Sequence, residues 1–376
     1  MVVTNVMKTR RLTIVVLDGL GAGKAPDSHM YGDENANTLS LLCEGSPPNR
    51  LLDSMRGLTT DVNVTCRLLK PNLVGKGTTT GHWDMFGMTD SVELAPMISD
   101  WPSEFVDLVR KICGSNTLCC AFNENGTNLV SEIGSRASQR SAIIAYSSAD
   151  SIVQLAACET NVGLNRLRFC GRELAKYLPG KFGLGRVITR PYAINVQGCA
   201  ARTANRMDFH AVPPGGSVFG TLMAGSVSTT FYGKAKEIFH WFEAGKFDGT
   251  SEPMAALDSC LLNGLSSSEN NTDRKELHLV NFRKIDDLLH EGKLTAAREV
   301  FAEVVSKLEA ASKLSGIDSA LLVTADHGCD IRINRNENTR EVVPAYFVGG
   351  PQKAHKTLER GTKLNSISHV TTSFFL

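Results

Sequence analysis

The hydrophobic pattern of this chain is dominated by continuous runs instead of alternation. Leu12 to Leu17 reads LTIVVL and stops at Asp18, and Ala320 to Val323 reads ALLV and is followed by Thr324-Ala325-Asp326-His327. Such runs predict strands covered on both faces, as in a parallel α/β sheet. KELHLVNF, from Lys275, predicts another strand leading into helix, and Ala297, Val300, Phe301, Val304 and Leu308 recur at helical spacing. That stripe reads as core packing. In the middle of the chain, SAIIAYSSADSIVQLAA predicts a strand, a polar turn and a helix, and GKFGLGRVITRPYAI predicts a glycine-rich turn and a strand. CAARTANRMDFHAVPPGG reads as a polar, arginine-containing loop. The change of character predicts an inserted domain over 97–214, between a first core segment over 1–96 and a second over 215–376. Its entry would lie near ELAPMISDWP and its exit hinge at VPPGG, Val212 to Gly216.

Composition narrows the class. The 376 residues are 42% hydrophobic and 21% charged, a globular balance. With 40 basic and 39 acidic residues, the net charge of +1 gives no electrostatic footprint for nucleic acid or an anionic membrane. The apolar run behind the basic N-terminus is too short for a secretory core, and no stretch reaches transmembrane length. The ten cysteines are scattered without a C-x-x-C pair, which suits reduced thiols in a cytoplasmic protein.

Chemistry gathers at the strand ends. In open α/β sheets functional groups collect at the carboxyl ends of strands. If the two strongest runs are neighbours, Asp18, Asp326 and His327 converge, and two carboxylates with an imidazole suit a hard divalent ion such as Mn²⁺. An Asp capping a turn beside a packed His is the plainer alternative. GKGTTTGHWDMFG, Gly75 to Gly87, sets three threonines in a glycine-rich turn. A threonine hydroxyl becomes a nucleophile only when a metal or base activates it. A capped Ser/Thr turn explains the same residues without chemistry.

Taken together, Asp18 after the first strand, the threonine turn before GHW and the late TADHG resemble the alkaline phosphatase superfamily. YSSADSIVQLAACE (Tyr146 to Glu159), RVITRPY (Arg186 to Tyr192), RTANRMDF (Arg202 to Phe209), DGLGAGKAPD (Asp18 to Asp27) and NTREVVP (Asn338 to Pro344) resemble the phosphopentomutase family within it. The resemblance implies an alkaline-phosphatase-like α/β core with a parallel-type central sheet and an inserted smaller α/β cap. It implies an isomerase of nucleoside catabolism that converts ribose 1-phosphate, or its deoxy equivalent, to ribose 5-phosphate. Such an enzyme works through a phosphothreonine and Mn²⁺ or Mg²⁺, with a sugar bisphosphate as activator. By position Thr78 matches the nucleophile, and Asp18, Asp326 and His327 match the ligands of the metal touching it. Ser148, Asp150 and Arg190 match residues of the cap that face the phosphosugar, and Arg202 and Arg206 fall in its loop motif.

This chain also departs from the family pattern. The other metal's Asp, His and His positions hold Arg283, Leu288 and Asn338, so the resemblance implies one ion per subunit instead of two. A lysine belongs after a strand and a glycine, where Ser226 of MAGSVS stands, and the position before the nucleophile holds Gly77. Three readings follow. The lost site is rebuilt by Asp286 and His290, i,i+4 partners on a helix, with Glu337 as a third ligand. Alternatively Arg283 supplies the missing positive charge. Otherwise catalysis is impaired, and the fold persists as a sugar-phosphate binder or a partner subunit. A one-metal phosphatase on the same core is a separate alternative.

Overall fold

The computed structural model describes residues 9–44, 50–55, 63–88, 101–122, 126–148, 152–178, 182, 185–212, 217–265, 273–333 and 337–376. Contacts divide the chain into two compact units, Met1–Thr89 with Gly216–Leu376, and Asp90–Gly215. Strands run in chain order as β1 (Arg10–Leu17), β2 (Val64–Leu69), β3 (Leu118–Phe122), β4 (Ile144–Ser148), β5 (Ile152–Cys158), β6 (Arg186–Ile194) and β7 (Ala200–Arg202). They continue as β8 (Met207–His210), β9 (Val227–Gly233), β10 (Lys246–Phe247), β11 (Lys275–Phe282), β12 (Ser319–Thr324) and β13 (Val343–Val348).

In the first unit the sheet order is β10-β9-β11-β1-β12-β13-β2. The stretch from β10 to β12 is parallel throughout, whereas β13 pairs antiparallel with both β12 and β2. The sheet is therefore mixed, with a parallel centre. β1 pairs directly with β12, Val16 standing beside Thr324, which meets the condition for Asp18, Asp326 and His327 to converge. Leu12 and Ile14 to Leu17 have no exposure at all, because β1 is flanked on both sides and covered on both faces. The chain after β11 forms two helices, Lys284–His290 and Leu294–Ser312, broken at Gly292, which takes φ 71°. Ala297, Phe301, Val304 and Leu308 of the predicted stripe are buried.

In the second unit the order is β3-β4-β5-β6-β7, with β8 paired to β6. Two sequence expectations change here. The predicted helix after SSAD is strand β5, all seven residues buried; its period fitted either element, and antiparallel pairing with β4 decided for strand. The predicted polar loop contains β7 and β8, both zipped onto β6. Leu129, Val130, Ala137, Ile144, Tyr146, Ala156 and Tyr192 form this unit's core. VPPGG beyond Val212 and most of ELAPMISDWP lie outside the described residues. Among the described residues no helix is long and apolar enough to cross a membrane.

Candidate active site

The parallel strands of the first unit deliver their polar groups to one edge of the sheet. Asp18 follows β1, Lys234 follows β9, Asp326 and His327 follow β12, and the helix Lys284–His290 follows β11. The helix Thr78–Met85 brings Thr78 to the same edge, at its own N-terminus. Gly81 explains why that helix approaches so closely. A Cβ there would stand 2.2 Å from the Asp326 carbonyl oxygen, so only glycine allows the contact.

Around the Thr78 hydroxyl the geometry is tight. Thr78 Oγ1 lies 3.4 Å from Asp18 Oδ1 and 3.2 Å from His327 Nε2, and it accepts from Lys234 Nζ at 3.1 Å. Lys234 also donates to Asp18 Oδ2 at 2.8 Å. His327 Nε2 is 3.2 Å from Asp18 Oδ1 and 3.4 Å from Asp326 Oδ2. His82 Nδ1 stands 2.9 Å from the Thr78 carbonyl oxygen, and Asn281 Nδ2 stands 3.3 Å from its Nε2, so this buried ring braces the nucleophile turn. Thr78, His82, Asp18, Asp326 and His327 are all buried.

Sequence reasoning placed the family lysine at Ser226. The structure puts Ser226 before β9 and Lys234, of Gly233-Lys234, after it. The signal was present, a glycine-lysine pair, but it lay at the far end of the same strand. The idea that Arg283 supplies positive charge to the site also changes. Its side chain is 45% exposed and its Nε lies 3.4 Å from Asp287, because residue 283 caps the helix on its outer side. The fixed cation beside Thr78 is Lys234. Leu288 is buried. Glu337 pairs instead with Lys76 at 3.2 Å. Asp286 and His290 do approach each other, with His290 Nε2 3.4 Å from Asp286 Oδ1. Cys329, which sequence reasoning passed over, joins them, its Sγ 3.9 Å from His290 Nε2. Asn338 spans the two rings, Oδ1 2.9 Å from His290 Nε2 and Nδ2 3.3 Å from His327 Nε2.

The donors suit a divalent cation. Ligand atoms of Asp18, Asp286 and His327 lie within 4.8 Å of one another, all on buried residues. Asp286 Oδ1 and Asp326 Oδ2 are buried without a well-formed hydrogen bond, a costly state for a carboxylate that no cation compensates. Burial alone would push the Asp18 carboxyl up, but Lys234 and His327 outweigh it and hold the group ionised. Burial opposes charge on His327 as well, yet Asp326, Asp18 and Asp286 raise its pKa to about 10. A pocket negative enough to hold that proton attracts a metal ion by the same field.

Two motifs shared with the resembled family serve as braces. Arg340 clamps Asp27 from Nε at 3.0 Å and Nη2 at 2.8 Å, and its backbone N–H donates to Asp33. Glu341 accepts from the Thr38 hydroxyl and the Thr339 hydroxyl, each at 2.7 Å, and from the Gly23 amide. These bonds tie the loops after β1 and β12 together beneath the site.

The second unit carries its own basic cluster. Arg190 Nε donates to Gln154 at 3.0 Å, and Arg202 Nη2 donates to the Tyr146 hydroxyl at 2.8 Å. Arg206 makes a fork with Asp208, at 2.7 and 2.8 Å. Burial and the neighbouring Arg206 and Arg202 lower the Arg190 pKa to about 10. Ser148 ends β4, and Asp150 lies outside the described residues.

Comparison with known proteins gives the family. Residues 219–376 match the metalloenzyme superfamily. A phosphopentomutase from Clostridium novyi (strain NT) is 30% identical, covering 93% of this chain and 90% of that protein. A phosphopentomutase from Lachnoclostridium phytofermentans is 28% identical, covering 97% of this chain and 95% of that protein. Among solved structures, a phosphoglycerate mutase from Leishmania mexicana covers 99% of this chain and 96% of its own at 13% identity, with a TM-score of 0.48. The chain belongs to the phosphopentomutase family.

Proposed function

We propose that this protein moves a phosphoryl group between the C1 and C5 oxygens of ribose or deoxyribose phosphate, using Thr78 as carrier. The observation that carries the reading is the Thr78 hydroxyl, held at a helix N-terminus among Asp18, His327 and Lys234. In the first half, phosphorylated Thr78 gives its phosphoryl group to the free sugar hydroxyl. The P–O bond to Thr78 breaks, a P–O bond to the sugar forms, and the hydroxyl proton leaves to solvent. In the second half the P–O bond to the other sugar oxygen of the resulting bisphosphate breaks, a P–O bond to the Thr78 oxygen forms, and solvent returns a proton to the freed sugar oxygen, which releases the isomeric monophosphate.

The chain's own groups divide the work. Lys234 stabilises negative charge as it develops on the Thr78 oxygen. Helix-end amides suit the phosphoryl oxygens. His82 fixes the backbone carbonyl of Thr78 and so the direction of its side chain. Asp18, Asp326 and His327 would hold a divalent ion, Mn²⁺ or Mg²⁺, whose chemistry is charge neutralisation on the transferring group. In the second unit, Arg190, Arg202 and Arg206, with Ser148 and Asp150, are the proposed phosphosugar-facing residues, since guanidinium forks match phosphate oxygens.

The test is turnover of ribose 1-phosphate with Mn²⁺ and a sugar bisphosphate primer, with Thr78→Ala as control. Turnover that the control abolishes supports the mutase. Absence of turnover in a folded protein that still binds pentose phosphate would make the chain a binding homologue. Release of inorganic phosphate without isomerisation would make it a one-metal phosphatase.

A further inference from the structure

Three residues before Thr78, both backbone groups of Gly75 are held by side chains from distant parts of the chain. The Gly75 N–H donates to the Tyr31 hydroxyl at 3.0 Å. The Gly75 carbonyl accepts from Arg340 Nη1. The two side chains also pack on each other, with the guanidinium carbon of Arg340 5.4 Å from the centre of the Tyr31 ring. Lys76 Nζ stands 5.9 Å from the same centre. A phenylalanine would offer these cations the same ring face. Only the hydroxyl reaches Gly75.

The turn Gly75-Lys76-Gly77 has little else to order it. Gly75 takes φ 107°, which glycine adopts readily and other residues rarely. Gly77 is the N-cap of the Thr78–Met85 helix and has no side chain to cap it. Its φ of −105° and ψ of 161° suit any residue, and a Cβ there would meet nothing within 4 Å among the described residues. Space therefore does not require glycine at position 77. Two glycines in three residues leave the free turn wide conformational freedom, and ordering it costs entropy. The turn enters the helix directly, the Gly77 carbonyl accepting from the Gly81 N–H at 3.0 Å. Lys76 and Gly77 line the same cavity as Asp326 and His327, so the turn is one wall of the site.

We propose that Tyr31 is a positioning residue for the phosphoryl transfer, whose hydroxyl fixes the Gly75–Gly77 turn and, through it, the place of the Thr78 oxygen. The proposal deepens the functional reading above and rests on Thr78 as carrier. Tyr31 acts only through Gly75. A loosened turn lets Thr78 Oγ1 leave Asp18 and His327 for part of the time, which lowers the fraction of molecules aligned for transfer. That fraction multiplies kcat. It leaves the proposed phosphosugar contacts of the second unit alone, so KM changes little.

Tyr31→Phe keeps the ring and removes only the hydroxyl. Hydrogen–deuterium exchange of the full chain, read by mass spectrometry on peptides covering Asn72 to Thr80, measures the turn without substrate. Steady-state kinetics with ribose 1-phosphate, Mn²⁺ and a sugar bisphosphate primer measures the consequence, and thermal unfolding checks that the variant is folded. The expected result is faster exchange in those peptides and a kcat lower by about 2- to 12-fold, the range of one hydrogen bond, with KM little changed. Adding Gly77→Ser stiffens the turn and supplies an N-cap oxygen, so the double variant should recover part of kcat. Unchanged exchange in Tyr31→Phe overturns the proposal, and so does faster exchange with unchanged kcat. A loss that appears in KM instead of kcat and that Gly77→Ser leaves untouched also overturns it. If the parent shows no turnover, the mutase reading fails on its own and exchange decides the rest. Faster exchange then keeps Tyr31 as the residue that orders the turn, and unchanged exchange removes it.

Discussion

Lys234 Nζ donates to Thr78 Oγ1 at 3.1 Å and to Asp18 Oδ2 at 2.8 Å, so one ammonium joins the proposed carrier oxygen to its nearest carboxylate. Its side chain is 11% exposed, which lets little water screen the charge. Removing a preorganised donor to a developing oxyanion costs about 10²–10³-fold in kcat. Lys234→Met should lose that much pentose phosphate turnover with a small change in KM. Lys234→Arg should recover part of it, because charge returns with a different reach. Steady-state kinetics on both variants checks this. Equal loss in the two would mean that shape, not charge, is what the site requires.

Gly81 predicts a structural failure with a functional readout. Any Cβ at residue 81 must displace the Asp326 backbone, which stands 2.2 Å from its ideal position. Overpacking of this kind costs about 1–3 kcal/mol. Gly81→Ala should lower the denaturant midpoint by that free energy divided by the slope, with the slope unchanged. Because the displaced residue is Asp326, the variant should also bind Mn²⁺ more weakly than an equally destabilised variant elsewhere in the core.

Much of the site was legible in the sequence, and the reasons differ by residue. Asp18, Asp326 and His327 follow uninterrupted apolar runs, and a run buried on both faces fixes where its strand ends. Asp286 and His290 were visible because i,i+4 spacing on a helix puts side chains on one face. Cys329 was not, since a buried thiol reads as packing until its neighbours are known. Lys234 was missed through register: Gly225-Ser226 and Gly233-Lys234 both border β9, and only pairing with β11 shows which end meets Thr78. In the second unit, SIVQLAA carries no period that separates strand from helix, so β5 needed its neighbours β4 and β6 to declare it.

Acid sensitivity should come in part from the start of β11, at the other end of the strand from Asp286. His278, whose Nε2 stands 3.8 Å from the carboxylate, and Arg11, which donates to it at 2.9 Å, outweigh burial and lower the Glu276 pKa to about 2 from an ordinary 4.5. A depressed carboxyl stabilises the folded state above its unfolded pKa and loses that contribution as pH falls through the folded one. The stability gap between the parent and Glu276→Gln should therefore be full at pH 6 and shrink between pH 4.5 and about 2. Urea midpoints across that window measure it. A gap independent of pH would mean that the glutamate contributes through packing alone.

The arginine cluster of the second unit predicts ligand-linked stability. Arg190 is lowered to about 10 by burial and by Arg206 and Arg202, so the cluster holds cationic repulsion that an anion relieves. Arg202 and Arg190 are joined through the Tyr146 hydroxyl, which donates to Gln154 Oε1 at 3.0 Å. A pentose phosphate bound there at about 100 times its Kd stabilises the folded state by about 2.7 kcal/mol. Thermal unfolding of the parent should rise with added ribose 5-phosphate, and Arg190→Gln should remove most of the rise. Arg190→Lys should keep less than half of it, because an ammonium cannot reproduce a two-pronged contact with phosphate. The same rise in Arg190→Gln as in the parent would place the phosphate elsewhere and free Arg190 of that role.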